Sequence, residues 1–213
     1  MSRLLYSVSM SLDGFVAGPD QSPENPLGVG GERLHDWMRE LAVWRKGAGL
    51  EGGVTNGSTA VLERDDNEGA IIMGRNMFGG GTGPWGDPAW GGWWGDDPPF
   101  HRPVFVLTHH ARKPLECRGG TSFTFVTEGI AAAWDMAREA AHGRNVAISG
   151  GAGVARQYLA AGLIDQIEIH LVPTLLGRGV RLFDGPDLAA LSIEQVRVID
   201  APGVTHVTYR VTK

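Results

Sequence analysis

Val146–Ala161, VAISGGAGVARQYLAA, is the stretch on which the fold turns. A short apolar run ends at Ser149, two glycines follow, and then Val154, Tyr158 and Ala161 recur at helical spacing. A strand that turns sharply into a helix is the repeating unit of an α/β domain with a largely parallel sheet. Small residues at such a turn let the backbone come close to a ligand. The helix N-terminus then offers unpaired N–H groups and a partial positive charge to a phosphate. The stretch is not a full dinucleotide fingerprint, because Arg156 stands where a third glycine would follow Gly151 and Gly153. On its own it fits a structural turn and a phosphate site equally well.

Two further stretches repeat the arrangement. Ile71–Phe78, IIMGRNMF, puts Gly74, Arg75 and Asn76 directly after a buried strand expected over Ala70–Met73. Val104–His110, VFVLTHH, delivers Thr108, His109 and His110 to the same kind of edge. Ligands of open α/β sheets bind outside the carboxyl ends of strands, so an arginine there can meet an anion; a plain surface arginine is the alternative. Adjacent histidines suggest a metal, but no nearby histidine or carboxylate has ligand spacing, so a polar pocket for phosphate or adenine is expected and no metal.

Around these anchors the chain alternates strand-like and helix-like segments. A first strand over Leu4–Met10 ends at the Asp13-Gly14 turn signal, where Asp13 either faces a ligand or only forms the turn. Gly18–Gly31 is expected as a mobile loop. Leu34, Trp37, Met38 and Leu41 predict an amphipathic helix of about three turns, with Glu32 and Asp36 on its solvent side. A second helix is expected over Asn56–Asp65. Gly79–Pro99 holds eight glycines, four prolines and four tryptophans, which excludes a continuous helix or strand. Its tryptophans predict an ordered loop over something flat or apolar. Strands follow at Pro103–Leu107, Ser122–Val126 and Asn145–Ile148, with a helix over Glu128–Ala141. Ile167, Ile169 and Leu171 alternate with Gln166, Glu168 and His170, the pattern of a half-buried strand. Val196–Asp200 and Val204–Val211, joined by Ala201-Pro202-Gly203, predict an antiparallel hairpin.

The whole composition suits one globular domain over residues 1–213: 42% of residues are hydrophobic and 20% charged. A net charge of −5 offers no basic field to nucleic acid or anionic lipid. No apolar run approaches the roughly 18–20 residues of a membrane helix. The single cysteine, Cys117, forms no internal disulfide. A cytoplasmic protein is expected. Nucleophilic hydrolysis has no Gly-x-Ser-x-Gly elbow to support it, and the Walker pattern is absent.

Taken in order, SVSMSLDGFVAG (Ser7–Gly18), IIMGRNMF, VFVLTHH, VAISGGAGVARQYLAAGLIDQIEIHLVP (Val146–Pro173) and LLGRGVRLF (Leu175–Phe183) resemble the dihydrofolate reductase-like superfamily. The similarity is greatest to the branch of the C-terminal reductase domain of the riboflavin-biosynthesis deaminase–reductase. The resemblance implies a three-layer α/β fold, with a mostly parallel sheet of about eight strands and an antiparallel C-terminal hairpin. It also implies NADPH as hydride donor, a homodimer, and reduction of a C=N or similar polar double bond in a small pterin-, folate- or ribosylaminopyrimidine-type heterocycle. Carried over, Gly74, Arg75 and Asn76 match the motif that holds cofactor phosphates, and Leu107, Thr108 and His109 the segment beside the adenosine 2′-phosphate. Gly150, Gly151, Ala152, Gly153 and Val154 match the turn under the pyrophosphate and nicotinamide. Asp13 belongs to the SLDG motif, where the acid lies beside the substrate, and is the catalytic candidate. Ser149 stands where the riboflavin reductase usually has a glutamate. Trp90, Trp93 and Trp94 are candidates to stack on a planar substrate, or alternatively to bury a dimer interface. The competing reading is an idle paralogue that binds a nucleotide or pterin as a sensor or partner subunit.

Overall fold

The computed structural model describes residues 2–81, 83–86, 89–185, 188 and 191–212. Its strands are β1 (Leu4–Ser11), β2 (Phe15–Ala17), β3 (Glu68–Gly74), β4 (Pro103–Leu107), β5 (Leu115–Glu116), β6 (Ser122–Val126), β7 (Asn145–Ile148), β8 (Gln166–Val172), β9 (Val180–Arg181), β10 (Ser192–Ala201) and β11 (Val204–Thr212). The helices are α1 (Asp36–Arg39), α2 (Ala42–Gly47), α3 (Gly57–Leu62), α4 (Arg75–Phe78), α5 (Ile130–Ala140) and α6 (Ala152–Ala160). Nine strands are hydrogen-bonded in the order β10-β11-β8-β1-β7-β3-β4-β6-β5, and β2 pairs with β9 apart from them. This is the mixed α/β architecture of dihydrofolate reductase-like proteins, mostly parallel with an antiparallel end. None of the described helices is long and apolar enough to cross a membrane.

The chain packs as two compact units, residues 2–6 with 67–165 and residues 7–66 with 166–212. In the first, the start of β1 and strands β7, β3, β4 and β6 are parallel neighbours, and β5 closes the edge antiparallel. Strand β3 is buried along almost its whole length, which fits its unbroken AIIMG run and a parallel sheet covered on both faces. Ala133 and Ala137 are the buried residues of α5, and Tyr158 of α6 donates its hydroxyl to Ile130 O at 2.8 Å. The 79–99 loop lies on an aromatic core of Phe78, Phe123 and Phe125, as its tryptophans predict. Thr82, Asp87 and Pro88 within it lie outside the described residues.

In the second unit β8, β11 and β10 form an antiparallel ladder, with a register shift between Gln195 and Arg197. The core gathers Leu34, Trp37, Leu41, Val172, Ala201 and Val204. The helix expected around Leu34–Leu41 is broken. A 3-10 turn (Gly31–His35) leads into α1, and Leu41 then turns extended to bridge Val54 before α2 begins. The bond from Ala42 N–H to Val54 O takes over where a helical bond would have continued. The Gly18–Gly31 loop is not loose: it is closed by backbone bonds from Gly18 to Leu27, Val29 to Pro19 and Gly28 to Asn25. The 56–65 helix is shorter than expected, and starts at a capping box in which Asn56 accepts from Ser58 N–H while Thr59 accepts from Asn56 N–H.

Candidate functional site

Within the first unit, the three sequence motifs sit on neighbouring strands. Gly74 ends β3 in register with Leu107 at the end of β4, and Ile72 pairs with Ile148, the last residue of β7. Gly74-Arg75, Thr108-His109 and Gly150-Gly151 therefore leave adjacent parallel strands at their carboxyl ends, where such sheets bind ligands. The backbone is fitted tightly there. A Cβ on Gly150, whose φ is +73°, would come 2.7 Å from Met77 Sδ, and one on Gly74 would come 2.8 Å from Val154 Cγ2. The left-handed backbone at Gly150 favours glycine, and a side chain at Gly74 would force Val154 to move.

Helix α6 begins at Gly151 with no side-chain cap. Val154 and Ala155 N–H both bond Gly151 O, whereas the Ala152 and Gly153 positions keep the orphan N–H groups of a helix start. Nothing lies within 4 Å of a Cβ built on Gly153, so this end of the helix is open. Thr108 is buried, donates its N–H to Val126 O and accepts His110 N–H on its hydroxyl, which shapes the turn; His109 and Asn76 are exposed.

Arg75 is held more firmly than a surface arginine. Its Nε and Nη2 donate to Gly79 O and Gly80 O, both at 3.1 Å, and its guanidinium lies over the Trp85 ring. Its buried Nη1 has no hydrogen-bond partner. Burial and the nearby Arg112 charge both lower its proton affinity. These donors fit an anionic cofactor: an orphaned guanidinium N–H, an uncapped helix start and a turn whose backbone favours glycine.

The tryptophans divide into two kinds. Trp94 packs on Phe100 and Phe123, and Trp90 donates its indole N–H to Phe78 O at 2.9 Å. Both are partly buried and pack against the aromatic core of this unit. Trp93 is 37% exposed and packs edge-on against Trp90.

Asp13 lies in the second unit. Its Oδ1 accepts from Ser11 Oγ at 2.6 Å and Leu176 N–H at 3.2 Å, and its Oδ2 from Gly177 N–H at 2.7 Å. These bonds, that from Ser11 foremost, hold its pKa down to about 2. The carboxylate is thus an ionised clasp between the SLDG turn and the LLG loop, with no proton to give at neutral pH.

The same unit contains a polar network missed by reading the sequence. Ser7, Ser9 and Ser11 share one face of β1 through its period of two, and each hydroxyl is used. Ser7 Oγ bonds His170 Nε2 at 2.9 Å, Ser9 accepts the Trp37 indole N–H, and Ser11 serves Asp13. His170 Nδ1 meets His206 Nδ1 at 2.8 Å, and His206 Nε2 meets Ser58 Oγ. Only one proton fits between the two Nδ1 atoms, so the imidazoles hold opposite tautomers. Burial keeps His170 neutral, with a pKa of about 4. Beside them Glu168 accepts Arg64, Arg197 and Thr208. The alternation of β8 predicts a wet face for Glu168 and His170; the structure buries them to 3% and 8% exposure. The visible signal was the Ser-x-Ser-x-Ser run of β1, which reads as a polar face needing partners.

A mostly parallel sheet with a Gly-Gly turn, an arginine helix start and a Thr-His edge at neighbouring strand ends defines a fold of the dihydrofolate reductase type. More narrowly, the chain belongs to the RibD C-terminal domain family, which matches residues 3–205. A putative riboflavin biosynthesis protein from Shewanella sp. PV-4 is similar in structure, at 24% identity and a TM-score of 0.61 over 99% of both chains. RibD from Acinetobacter baumannii is 15% identical with a TM-score of 0.56; the match covers all of this chain and 59% of that one. Dihydrofolate reductase from Enterococcus faecalis, solved with NADP(H), is 13% identical with a TM-score of 0.52 over 99% of this chain and 97% of its own. No curated protein matches the chain in sequence.

Proposed function

We propose that this protein is an NADPH-dependent reductase of a small nitrogen heterocycle, of the ribosylaminopyrimidine type. The observation that carries the reading is the convergence of Gly74-Arg75, Thr108-His109 and Gly150-Gly151 on the neighbouring strands β3, β4 and β7. Family membership supports an oxidoreductase, and a structural relative from Thermotoga maritima, 56% of which is matched, is a diaminohydroxyphosphoribosylaminopyrimidine deaminase/5-amino-6-(5-phosphoribosylamino)uracil reductase. NADPH, when bound, supplies the hydride. The chain's own part is to hold it. The open start of α6 takes the pyrophosphate on backbone N–H groups, and Arg75, Thr108 and His109 face the ribose phosphate. The charge of an arginine and a histidine there selects NADPH over NADH. Asp13 acts as a fixed negative charge and a brace for the 174–177 loop, not as a proton donor.

A nucleotide titration followed by tryptophan fluorescence tests the cofactor: NADPH binds well and NADH much more weakly. Failure of both to bind at millimolar concentration ends the reading. Turnover is then tested by loss of NADPH absorbance with 5-amino-6-(5-phosphoribosylamino)uracil and with dihydrofolate. The saturated state of Asp13 favours a second reading, an idle nucleotide-binding paralogue. Tight NADPH binding with no oxidation by either acceptor would select it.

A further inference from the structure

Among the described residues, Trp85 is the one indole in the 79–99 loop whose ring meets a charged group. The guanidinium carbons of Arg75 and Arg112 lie over its ring at 3.1 and 4.6 Å from the centroid, and its N–H donates to His110 O at 2.8 Å. Arg75 follows β3 and Arg112 follows β4, so Trp85 lies at the strand ends already assigned to the adenosine part of the cofactor. Neither arginine meets a carboxylate among the described residues; Arg112 spends one N–H on Trp90 O and Arg75 two on glycine carbonyls. The indole offers these two cations only the face of its π system. It packs under the two arginines and leaves their charge unanswered.

An adenine ring is a flat fused bicycle like indole, and the phosphate that accompanies it is the charge-assisted partner both arginines lack. We infer that Trp85 is a built-in stand-in for the adenine of the cofactor: it lies under the guanidinium groups of Arg75 and Arg112, and the nucleotide displaces it. The inference rests on the cofactor reading above. Trp85 then taxes cofactor affinity by the fraction of molecules in which it is in place.

The experiment uses the full chain and adenosine 2′,5′-bisphosphate, with hydroxyl-radical footprinting read by mass spectrometry. Saturation should raise oxidation of Trp85 several-fold while Trp94 stays constant. Binding with Trp85 protected or unchanged overturns the displacement and leaves the cofactor reading standing. A second arm is Trp85→Leu, which keeps apolar contact with Phe78 and Phe125. If Trp85 is in place about nine-tenths of the time, this variant binds the bisphosphate about tenfold more tightly. Equal or weaker binding overturns the inference. If the bisphosphate binds neither the parent nor the variant, the cofactor reading itself fails and the inference with it.

Discussion

Arg75 and Arg112 carry charge in the first unit without a carboxylate partner among the described residues, and Arg75 keeps a buried N–H unbonded. In the second unit Glu168 is met by Arg64, Arg197 and Thr208, Asp13 by three donors, and His170 by Ser7 and His206. Both regions hold polar groups away from water, which costs free energy unless they are paired. The second unit pairs these groups internally, although His35 Nδ1 and Thr174 Oγ1 are buried there without a partner. The first leaves them open at strand ends, as a site for an anionic ligand would.

The largest test of this contrast is Glu168→Ala. Removing one member of a buried ion network typically costs about 3–5 kcal/mol, because the partner charge stays desolvated. Urea unfolding should show a loss of that order. A loss below about 1 kcal/mol would mean that Arg64 is satisfied by Asp66 alone, and the network would then be incidental.

Next in size is the response to acid. His170 is neutral in the fold with a pKa of about 4 and would titrate near 6.5 when unfolded. Between those values the unfolded chain binds more protons, so stability falls as pH drops from about 6.5 towards 4 and levels off below that. A shift of that size is linked to at most about 3 kcal/mol. Asp13 adds nothing in this window, since its lowered pKa costs stability only when pH falls below the ordinary carboxylate range. Urea midpoints measured from pH 7.5 to 4 should trace the fall. His170→Asn should lessen it, with His206 and His35, also lowered by burial, carrying the remainder, and a slope unchanged in that variant would assign the acid response elsewhere.

The fold was legible because its elements are local. The β3 run AIIMG, the Gly-Gly turn at 150–151 and the Ala201-Pro202-Gly203 hairpin each state their conformation within a few residues. That three of the motifs end neighbouring strands was legible for the same reason. The His170–His206 pair was not, because its members lie 36 residues apart and meet only through the pairing of β8 with β11. Alternation places His170 on a face; it does not tell whether water or Trp37 covers that face, and here Trp37 packs on both imidazoles. The tryptophans are ambiguous for a related reason. Four aromatic residues in a glycine-rich loop announce an apolar surface, without telling whether it belongs to a substrate or to Phe123.

Trp90→Ala and Trp93→Ala sharpen that last point. Trp90 gives up a hydrogen bond and packing in the aromatic core, and its loss should cost about 2–3 kcal/mol, short of the roughly 3–5 of a fully buried Trp→Ala. Trp93, more exposed, should cost under about 1 kcal/mol. If Trp93→Ala nevertheless abolishes binding of the heterocyclic acceptor at unchanged stability, Trp93 is the indole that faces substrate.

The smallest expected effect belongs to Asp13→Asn, and it bears most directly on chemistry. An asparagine keeps one oxygen to accept from Ser11 and Leu176, and loses the charge that the Gly177 N–H now meets at 2.7 Å. If Asp13 braces the 174–177 loop, turnover of NADPH should fall only a few-fold, and the pH profile should keep its shape. A general acid predicts something else: removal of such a group typically costs 10²–10⁴-fold, and the limb of the profile it governs disappears. A carboxylate held at about 2 sits far below the operating range in which proton donation is efficient. On the proposed reading, a proton that accompanies hydride transfer would then come from a donor other than Asp13. A 10³-fold loss in Asp13→Asn with a vanished acid limb would reverse this assignment and make the SLDG aspartate the donor.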